Sequence, residues 1–249
     1  MNFDKSSNPV FSEKMFENAV SDFAGNGVMT FQGTVTKSIL LLLLVIVTGT
    51  ISWKLAIVGN SIVGPLAIGG AIGALIMAIV CCFKPEKSYI FGPIYALCEG
   101  LMLGSISALF NTLYSGIVLQ AILLTIMVVA VVFFAYKVGI LKASNTFVKV
   151  ITFATIGIGA FYLLSMLLSV FGVHTVSLFE LGWVGIVIQL VIVGVAALNL
   201  VLDFNQIDRG VESNAPAHME WYCAFGMMVT IVWIYVEILR LLALLSKRN

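Results

Sequence analysis

The sequence predicts an all-α membrane protein with seven transmembrane helices. Apolar residues make up 61% of the 249 residues and charged residues only 10%, whereas about 25% of an average soluble domain is charged. The apolar residues also gather into long runs, each close to the roughly 20 residues that a helix needs to cross the hydrocarbon core. Because a helix satisfies its backbone hydrogen bonds internally, it is the structure that such runs form in lipid.

The predicted spans follow one another with short connections, so consecutive helices should be antiparallel neighbours. They cover residues 38–58, 61–83, 89–110, 117–135, 150–171, 183–202 and 222–245. The chain therefore divides into a cytoplasmic N-terminal arm, residues 1–37, and a seven-helix transmembrane domain, residues 38–249. The arm is either a flexible tail or a short amphipathic surface helix, because its apolar residues recur at helical spacing: Phe11, Met15, Phe16 and Val20.

Small residues inside the spans predict close helix packing. Gly100 and Gly104 form a G-x-x-x-G pattern in the third span. Small residues let helix backbones approach each other in lipid, where no hydrophobic force drives helices together. We expect the same role for the other intramembrane glycines, which are Gly69, Gly70, Gly73, Gly157 and Gly159.

Basic residues predict that the N-terminus is cytoplasmic, because Lys and Arg accumulate in cytoplasmic segments. With that orientation most basic residues lie inside, and the outer loops 111–116 and 172–182 contain none. The polar first 30 residues offer no signal peptide, so we expect a multi-pass protein of the bacterial plasma (inner) membrane. The seventh span either crosses fully or re-enters, since Arg240, Lys247 and Arg248 lie near its end.

Composition also excludes several classes of function. A net charge of +1 without a basic tract argues against nucleic acid as a partner. The four cysteines lack the spacing of a metal site or a disulfide framework. An enzyme is not expected either: Ser105 has no histidine at membrane depth to activate it, because His174 and His218 fall in loops. No cofactor is predicted.

Carboxylates inside the spans are the strongest functional signal. Glu237 lies in the apolar run 229–245, where a charge costs about 2.5–3.5 kcal/mol on insertion scales. Glu99 and Asp203 are the other two carboxylates that the helices must bury. At helical spacing, Gln189, Asn199 and Asp203 share one face of the sixth span, and Trp233, Glu237 and Arg240 share one face of the seventh.

Three interpretations of these carboxylates are open. Glu237 and Arg240 could form an i,i+3 ion pair that eases insertion. Asp203 could end the sixth helix, with Asp208 and Arg209 in a solvated loop. Alternatively, Asp203 and Glu237 approach each other, share a proton and act as a pH sensor that could also hold Ca²⁺ transiently.

The third interpretation has a geometric condition. Asp203 is predicted at the cytoplasmic end of its span, so Glu237 can reach it only if the seventh span enters the membrane near Met227. The preceding turns of that helix would then lie in the cytoplasm. Residues 213–216, Ser-Asn-Ala-Pro, would supply the N-terminal cap of the extended helix.

Residues 202–208 read Leu-Asp-Phe-Asn-Gln-Ile-Asp at the end of the sixth span, and residues 233–239 read Trp-Ile-Tyr-Val-Glu-Ile-Leu in the seventh. The first stretch resembles the Asp-Phe motif of the Bax inhibitor family, and the second fits the acidic position of that family's seventh helix. Residues 93–107 and 215–222 resemble signatures of a bacterial branch. The resemblance covers about residue 30 to the end and implies two three-helix layers around a central seventh helix.

The resemblance also implies a function, a pH-sensitive calcium leak whose last two helices carry a proton-sensing aspartate pair. Asp203 matches the first aspartate, and Glu237 stands where the second would be, a departure by one methylene. The prediction is therefore a leak for Ca²⁺, other cations or protons, with Ca²⁺ as a permeant ion. Four further residues are candidates for the pore or for support of the pair: Glu99, Asn199, Asp208 and Arg240.

A second function is also consistent with the resemblance, a non-conducting regulator that binds another membrane protein such as a membrane protease. The N-terminal arm would suit that role. Its removal should abolish regulation and spare conduction, which separates the two hypotheses.

Overall fold

A computed structural model describes residues 27–172 and 180–247 and confirms the all-α, seven-helix prediction. Each of seven α-helices is long and apolar enough to cross a membrane, so the chain is a multi-pass membrane protein. A 3₁₀ turn, Pro85–Lys87, precedes the third helix. The helices are α1 Phe31–Ile57, α2 Val63–Phe83, α3 Ser88–Leu113, α4 Ile117–Lys137, α5 Asn145–Val170, α6 Trp183–Glu212 and α7 Met219–Ser246.

The predicted spans match these helices one to one, and the main differences lie at two ends. Helix α1 begins at Phe31, so the last residues of the predicted arm belong to it. Its N-cap is Thr30, whose side chain accepts a hydrogen bond from the Gly33 amide. The earlier part of the arm, including the predicted amphipathic segment, lies outside the described residues.

Helix α6 is the larger correction. The interpretation in which Asp203 ends the helix is wrong, because α6 continues to Glu212 and includes Asp208 and Arg209. Its 30 residues correspond to about 45 Å at 1.5 Å per residue, well beyond the roughly 30 Å of hydrocarbon. The extension is stabilised by burial, since Phe204 and Ile207 are both at most 3% exposed.

The connection between α6 and α7 also differs from expectation. Residues 213–216 do not cap α7, which begins only at Met219. They form a turn in which Asn214 has a φ of +53° and the Ala215 amide donates to the Gly210 carbonyl at 2.9 Å. Helix α7 is one unbroken helix of 28 residues, which is long enough to cross the membrane in full.

The chain forms two compact units. The first contains Met1–Ser115 and Asp203–Val229, and the second contains Gly116–Leu202 and Thr230–Asn249. Helices α1, α2 and α3 belong to the first unit, together with the end of α6 and the start of α7. Helices α4 and α5 belong to the second, with the rest of α6 and α7.

Close glycine contacts hold the first unit together, as the sequence predicts. The backbones of α1 and α3 approach each other where Gly104 faces Gly49, and α2 approaches α3 where Gly70 faces the Cys98 carbonyl. Gly69, Gly157 and Gly159 do not take part in such contacts, because a Cβ added at any of them would meet no atom within 4 Å. A Cβ at Gly100 would meet the backbone of α1, and one at Gly73 would meet the Cys98 side chain on α3 at 3.0 Å. The packing role is thus confirmed for Gly70, Gly73, Gly100 and Gly104.

Candidate functional site: a buried carboxylate bound by three helices

Glu237 lies inside the second unit and is 1% exposed. It is nine residues before the end of α7 at Ser246. Its partners have similar positions, with Gln189 six residues after α6 begins and Tyr162 eight residues before α5 ends. At 1.5 Å per residue these distances are about 9–14 Å. The carboxylate is therefore held at a depth that helices of this length place within the hydrocarbon region.

Three neutral groups donate hydrogen bonds to the Glu237 carboxylate. The Tyr162 hydroxyl lies 3.1 Å from both oxygens. The Gln189 Nε2 lies 2.6 Å from Oε2 and also donates to the Glu237 backbone carbonyl at 2.9 Å. The Trp233 indole N–H, one turn earlier on α7, donates to Oε1 at 3.0 Å. The carboxylate therefore joins α5, α6 and α7.

Arg240 adds a positive charge on the same helix. Its guanidinium lies 3.4 Å from Oε1 and 3.5 Å from Oε2, so the predicted i,i+3 ion pair is present. These distances exceed the 2.7–2.9 Å that is typical of charge-assisted hydrogen bonds. The guanidinium also stacks over the Tyr162 ring, 4.9 Å from its centroid. Because the Arg240 side chain is 36% exposed, the protein encloses this side of the cluster only in part.

The donors around Glu237 match the ionised form of the side chain. A carboxylate only accepts hydrogen bonds, whereas a protonated carboxyl has an O–H that needs an acceptor. Adding a proton would set that O–H against one of the present donors. The Gln189 Oε1 is a buried acceptor with no hydrogen-bond partner among the residues that the structure describes. Rotation of the Gln189 amide would present it to a protonated Glu237. We call Tyr162, Gln189, Trp233, Glu237 and Arg240 the Glu237 cluster.

Comparison with protein families identifies the chain. A family model described as Bax inhibitor 1 like matches residues 8–247, nearly the whole sequence. The chain belongs to the Bax inhibitor 1 like family. Searches of curated proteins and of solved structures found no match.

The first predicted sensor residue of this Bax-inhibitor-like protein, Asp203, lies in the other unit. It is 4% exposed, nine residues before the end of α6, and interacts electrostatically with the buried thiol of Cys223. Its approach to Glu237, the shared proton and the calcium site all stay predictions. Within the described ranges, no group of three or more His, Cys, Asp or Glu side chains is arranged to hold a metal ion.

The other candidate residues have separate surroundings. Glu99 is 7% exposed and forms a hydrogen bond with Tyr95 one turn earlier on α3. Asn199 donates to the Thr155 hydroxyl at 2.8 Å, which links α6 to α5 within the second unit. Asp208 is half-buried near the end of α6. Among the contacts that the structure describes, Arg240 is the one of these four candidates for the pore or for support of the pair that contacts Glu237.

Sequence reasoning missed Tyr162 as a member of the site. A single tyrosine in an apolar span is usually a packing or interfacial residue, so its type gave no signal. The usable signal was its hydroxyl, which needs a partner when it is buried. Ser105, considered as a nucleophile, lies with its hydroxyl 2.6 Å from that of Ser52 and donates to the Leu101 carbonyl. Both contacts suit helix packing, and the absence of enzymatic activity stays a prediction.

His218 is half-buried in the turn before α7. Burial lowers the pKa of its imidazole below 6.5, and the Glu86 carboxylate opposes that effect. The unfolded chain therefore takes up this proton more readily, and stability falls as the pH drops through about 6.5. We expect His218→Gln to lose less stability than the wild type between pH 7.5 and 5.5 in thermal unfolding. An identical pH profile would contradict this expectation.

Proposed function

We propose that this protein is a proton-sensitive leak for cations, Ca²⁺ or protons, gated by protonation of the intramembrane carboxyls Glu237 and Asp203. The observation that carries the proposal is the convergence of donors from three helices on one buried carboxylate. Polar groups inside a membrane domain are expensive and usually mark an ion or proton pathway. Family membership supports a membrane protein of the Bax-inhibitor type, and the leak is the proposed refinement.

The hydrogen bonds of the cluster supply a gating mechanism. The ionised carboxylate holds Tyr162 of α5 and Gln189 of α6 against α7. Protonation removes the attraction to Arg240 and converts one oxygen into a donor, so at least one of the present hydrogen bonds breaks. The contacts among the three helices then weaken. A state with weakened contacts is favoured by acid because it accommodates the proton better, so the leak should rise as the pH falls.

Asp203 is proposed as a second proton-binding group that acts within the first unit. Its carboxyl is almost fully buried at 4% exposure. A buried charge is costly unless neighbouring groups compensate for it. When the carboxyl gains or loses a proton these neighbours must rearrange, so its protonation would alter the packing of α6 near Cys223. The proposal requires no contact between Asp203 and Glu237, and each residue can be tested alone.

The test is ion flux through the purified full-length protein in liposomes at pH 6, 7 and 8. We expect a wild-type Ca²⁺ or proton leak that is larger at pH 6 than at pH 8. Glu237→Gln, which cannot carry the charge, should leak at pH 8 about threefold more than the wild type, since one lost interhelical hydrogen bond of about 0.6 kcal/mol changes an equilibrium by about that factor. Asp203→Asn should shift the pH dependence.

The matched control is Glu212→Gln, which changes an exposed carboxylate at the end of the same helix as Asp203. It should behave as the wild type. A wild type that passes neither Ca²⁺ nor protons at any pH would end the channel proposal. If neither Glu237→Gln nor Asp203→Asn changes the flux, the protein is a leak, but these two carboxyls do not gate it.

The second candidate is a regulator that binds another membrane protein, and the arm before α1 is the segment that would serve it. The family match begins at residue 8 and therefore includes most of the arm before α1. Deletion of residues 1–26 distinguishes the two functions. If the arm serves only partner binding, the truncated protein keeps the wild-type flux. If the wild type does not conduct and the truncation abolishes co-purification of a membrane partner, the regulator becomes the function.

A further inference from the structure

A second polar cluster, in the first unit, joins the start of α1 to the start of α7. Thr30 donates to Glu220 Oε1 through both its backbone amide and its hydroxyl, each at 2.8 Å. Lys37, two turns along α1, forms a salt bridge with Glu220 Oε2. We call Thr30, Lys37 and Glu220 the clasp. None of these three residues belongs to the Glu237 cluster.

Backbone contacts beside the clasp join residues 27–29 to residues 215–217, and we call these two segments the strap. The Met29 amide donates to the Ala215 carbonyl at 2.7 Å, and the Ala217 amide donates to the Gly27 carbonyl at 3.1 Å. Between these bonds, Val28 and Pro216 form an isolated antiparallel bridge. Met29 is buried at 1% exposure. The residues that lead into α1 are thus tied to the turn that leads into α7.

The helix start at Thr30 suits a carboxylate. Glu220 accepts hydrogen bonds at the N-terminus of α1, where free amides and the helix dipole favour negative charge. Gly33 leaves room for it, because a Cβ at that position would overlap the carboxylate. Lys37 also lies over the Trp221 ring, 5.6 Å from its centroid. Gly33, Lys37 and the N-cap residue Thr30 thus all lie next to the Glu220 carboxylate.

The clasp is only partly shielded from solvent. The Lys37 side chain is 23% exposed, whereas Glu220 is 7% exposed, so salt and competing charges can reach one partner. The turn it restrains is short, residues 213–218, and Asn214 holds a left-handed conformation there. A partly buried ionic contact that restrains a short turn can open without unfolding the helices around it.

We propose that the clasp and strap form an ionic latch that restrains the start of α7 and, through that helix, regulates the leak. The regulatory part rests on the proposed function, because Glu237 lies on the same helix. With the latch closed, the turn before α7 and its first residues are held to α1. With Glu220 or Lys37 neutralised, that restraint is lost while the Glu237 cluster keeps all its residues.

Amide hydrogen exchange of the full-length protein in lipid nanodiscs tests the latch without any flux measurement. Met29 and Ala217, whose amides form the strap, should exchange at least about tenfold faster in Glu220→Gln, which loses the ion pair. Gly33→Ala should have the same effect by displacing Glu220. The matched controls are Gly64→Ala, where an added Cβ meets no atom within 4 Å, and Lys54→Gln, an exposed lysine near the end of α1.

Two results would overturn the latch or its role. Exchange at the wild-type rate in both Glu220→Gln and Gly33→Ala would show that the latch does not exist. Because Glu220→Gln keeps the size of the side chain, this variant tests the latch even if Gly33→Ala does not fold. If the wild type conducts, the two variants should shift the pH at half-maximal flux, and an unchanged curve would overturn the regulatory role. A wild type that does not conduct overturns the proposed function and that role with it, while exchange still decides the latch.

Discussion

Glu237→Ala should lower the free energy of unfolding by about 3 kcal/mol. The substitution leaves the Tyr162 hydroxyl, the Gln189 amide and the Trp233 N–H without their acceptor. Interhelical hydrogen bonds in membranes are worth about 0.6 kcal/mol on average. Three of them, together with a stranded Arg240 charge, account for the expected total.

Arg240→Ala is the informative companion, and it should cost only about 1 kcal/mol. The Arg240 side chain is 36% exposed and its nitrogen lies 3.4 Å from the carboxylate, so the ion pair is loose and partly screened. Glu237 keeps its three neutral donors in this variant. The neutral donors, and not the ion pair, are thus expected to hold the carboxylate.

Reversible unfolding in mixed detergent micelles, followed by tryptophan fluorescence, measures both variants. Gln120→Ala, an exposed polar residue on α4, is a control for polar truncation outside the cluster and should change little. An Arg240→Ala variant as unstable as Glu237→Ala would contradict the ranking and assign the stability of the cluster to the charge pair.

The sequence predicted what local chemistry determines. The seven spans follow from runs of apolar residues, and hydropathy reports on the segment inside lipid. The start of α1 and the end of α6 extend beyond that segment, so hydropathy gave no signal there. Contacts distant in the sequence determine those ends, such as Glu220 with the cap residue Thr30 and the burial of Phe204 and Ile207.

The same distinction applies to the candidate site. Glu237 was identifiable because a carboxylate in an apolar run has few explanations, and Arg240 because it is one turn away. Tyr162 comes from a helix 75 positions earlier in the sequence, and no local pattern connects the two. Gln189 lay on a predicted polar face, but its choice of Glu237 as partner depends on how α6 and α7 pack in the second unit.

Gly104→Ala should destabilise the first unit by about 2–3 kcal/mol, the upper part of the range for adding a methyl group to a filled contact. A Cβ at Gly104 would lie 2.8 Å from both the carbonyl carbon and the Cα of Gly49. These are backbone atoms of α1, so no side-chain rotation can relieve the overlap. Helices α1 and α3 would have to separate, and the Ser52–Ser105 contact on the same pair of helices would lengthen.

The effect should depend on which helix carries the methyl group, and that asymmetry is the sharper test. A Cβ at Gly49 would meet the Gly100 carbonyl at 3.4 Å, which is close to ordinary contact, so Gly49→Ala should cost less than 1 kcal/mol. Gly69→Ala, in open space on α2, should be neutral or stabilising by up to about 1 kcal/mol through helix propensity. Thermal unfolding of the three variants in one detergent gives the order. Equal losses for Gly104→Ala and Gly49→Ala would mean that the helices adjust freely at this contact. The predicted order would instead establish a rigid approach of the two backbones, with Gly104 as the residue that permits it. The Cβ of a helical residue points toward the N-terminus of its own helix. Of these two positions, only Gly104 would direct a Cβ into the backbone of the other helix.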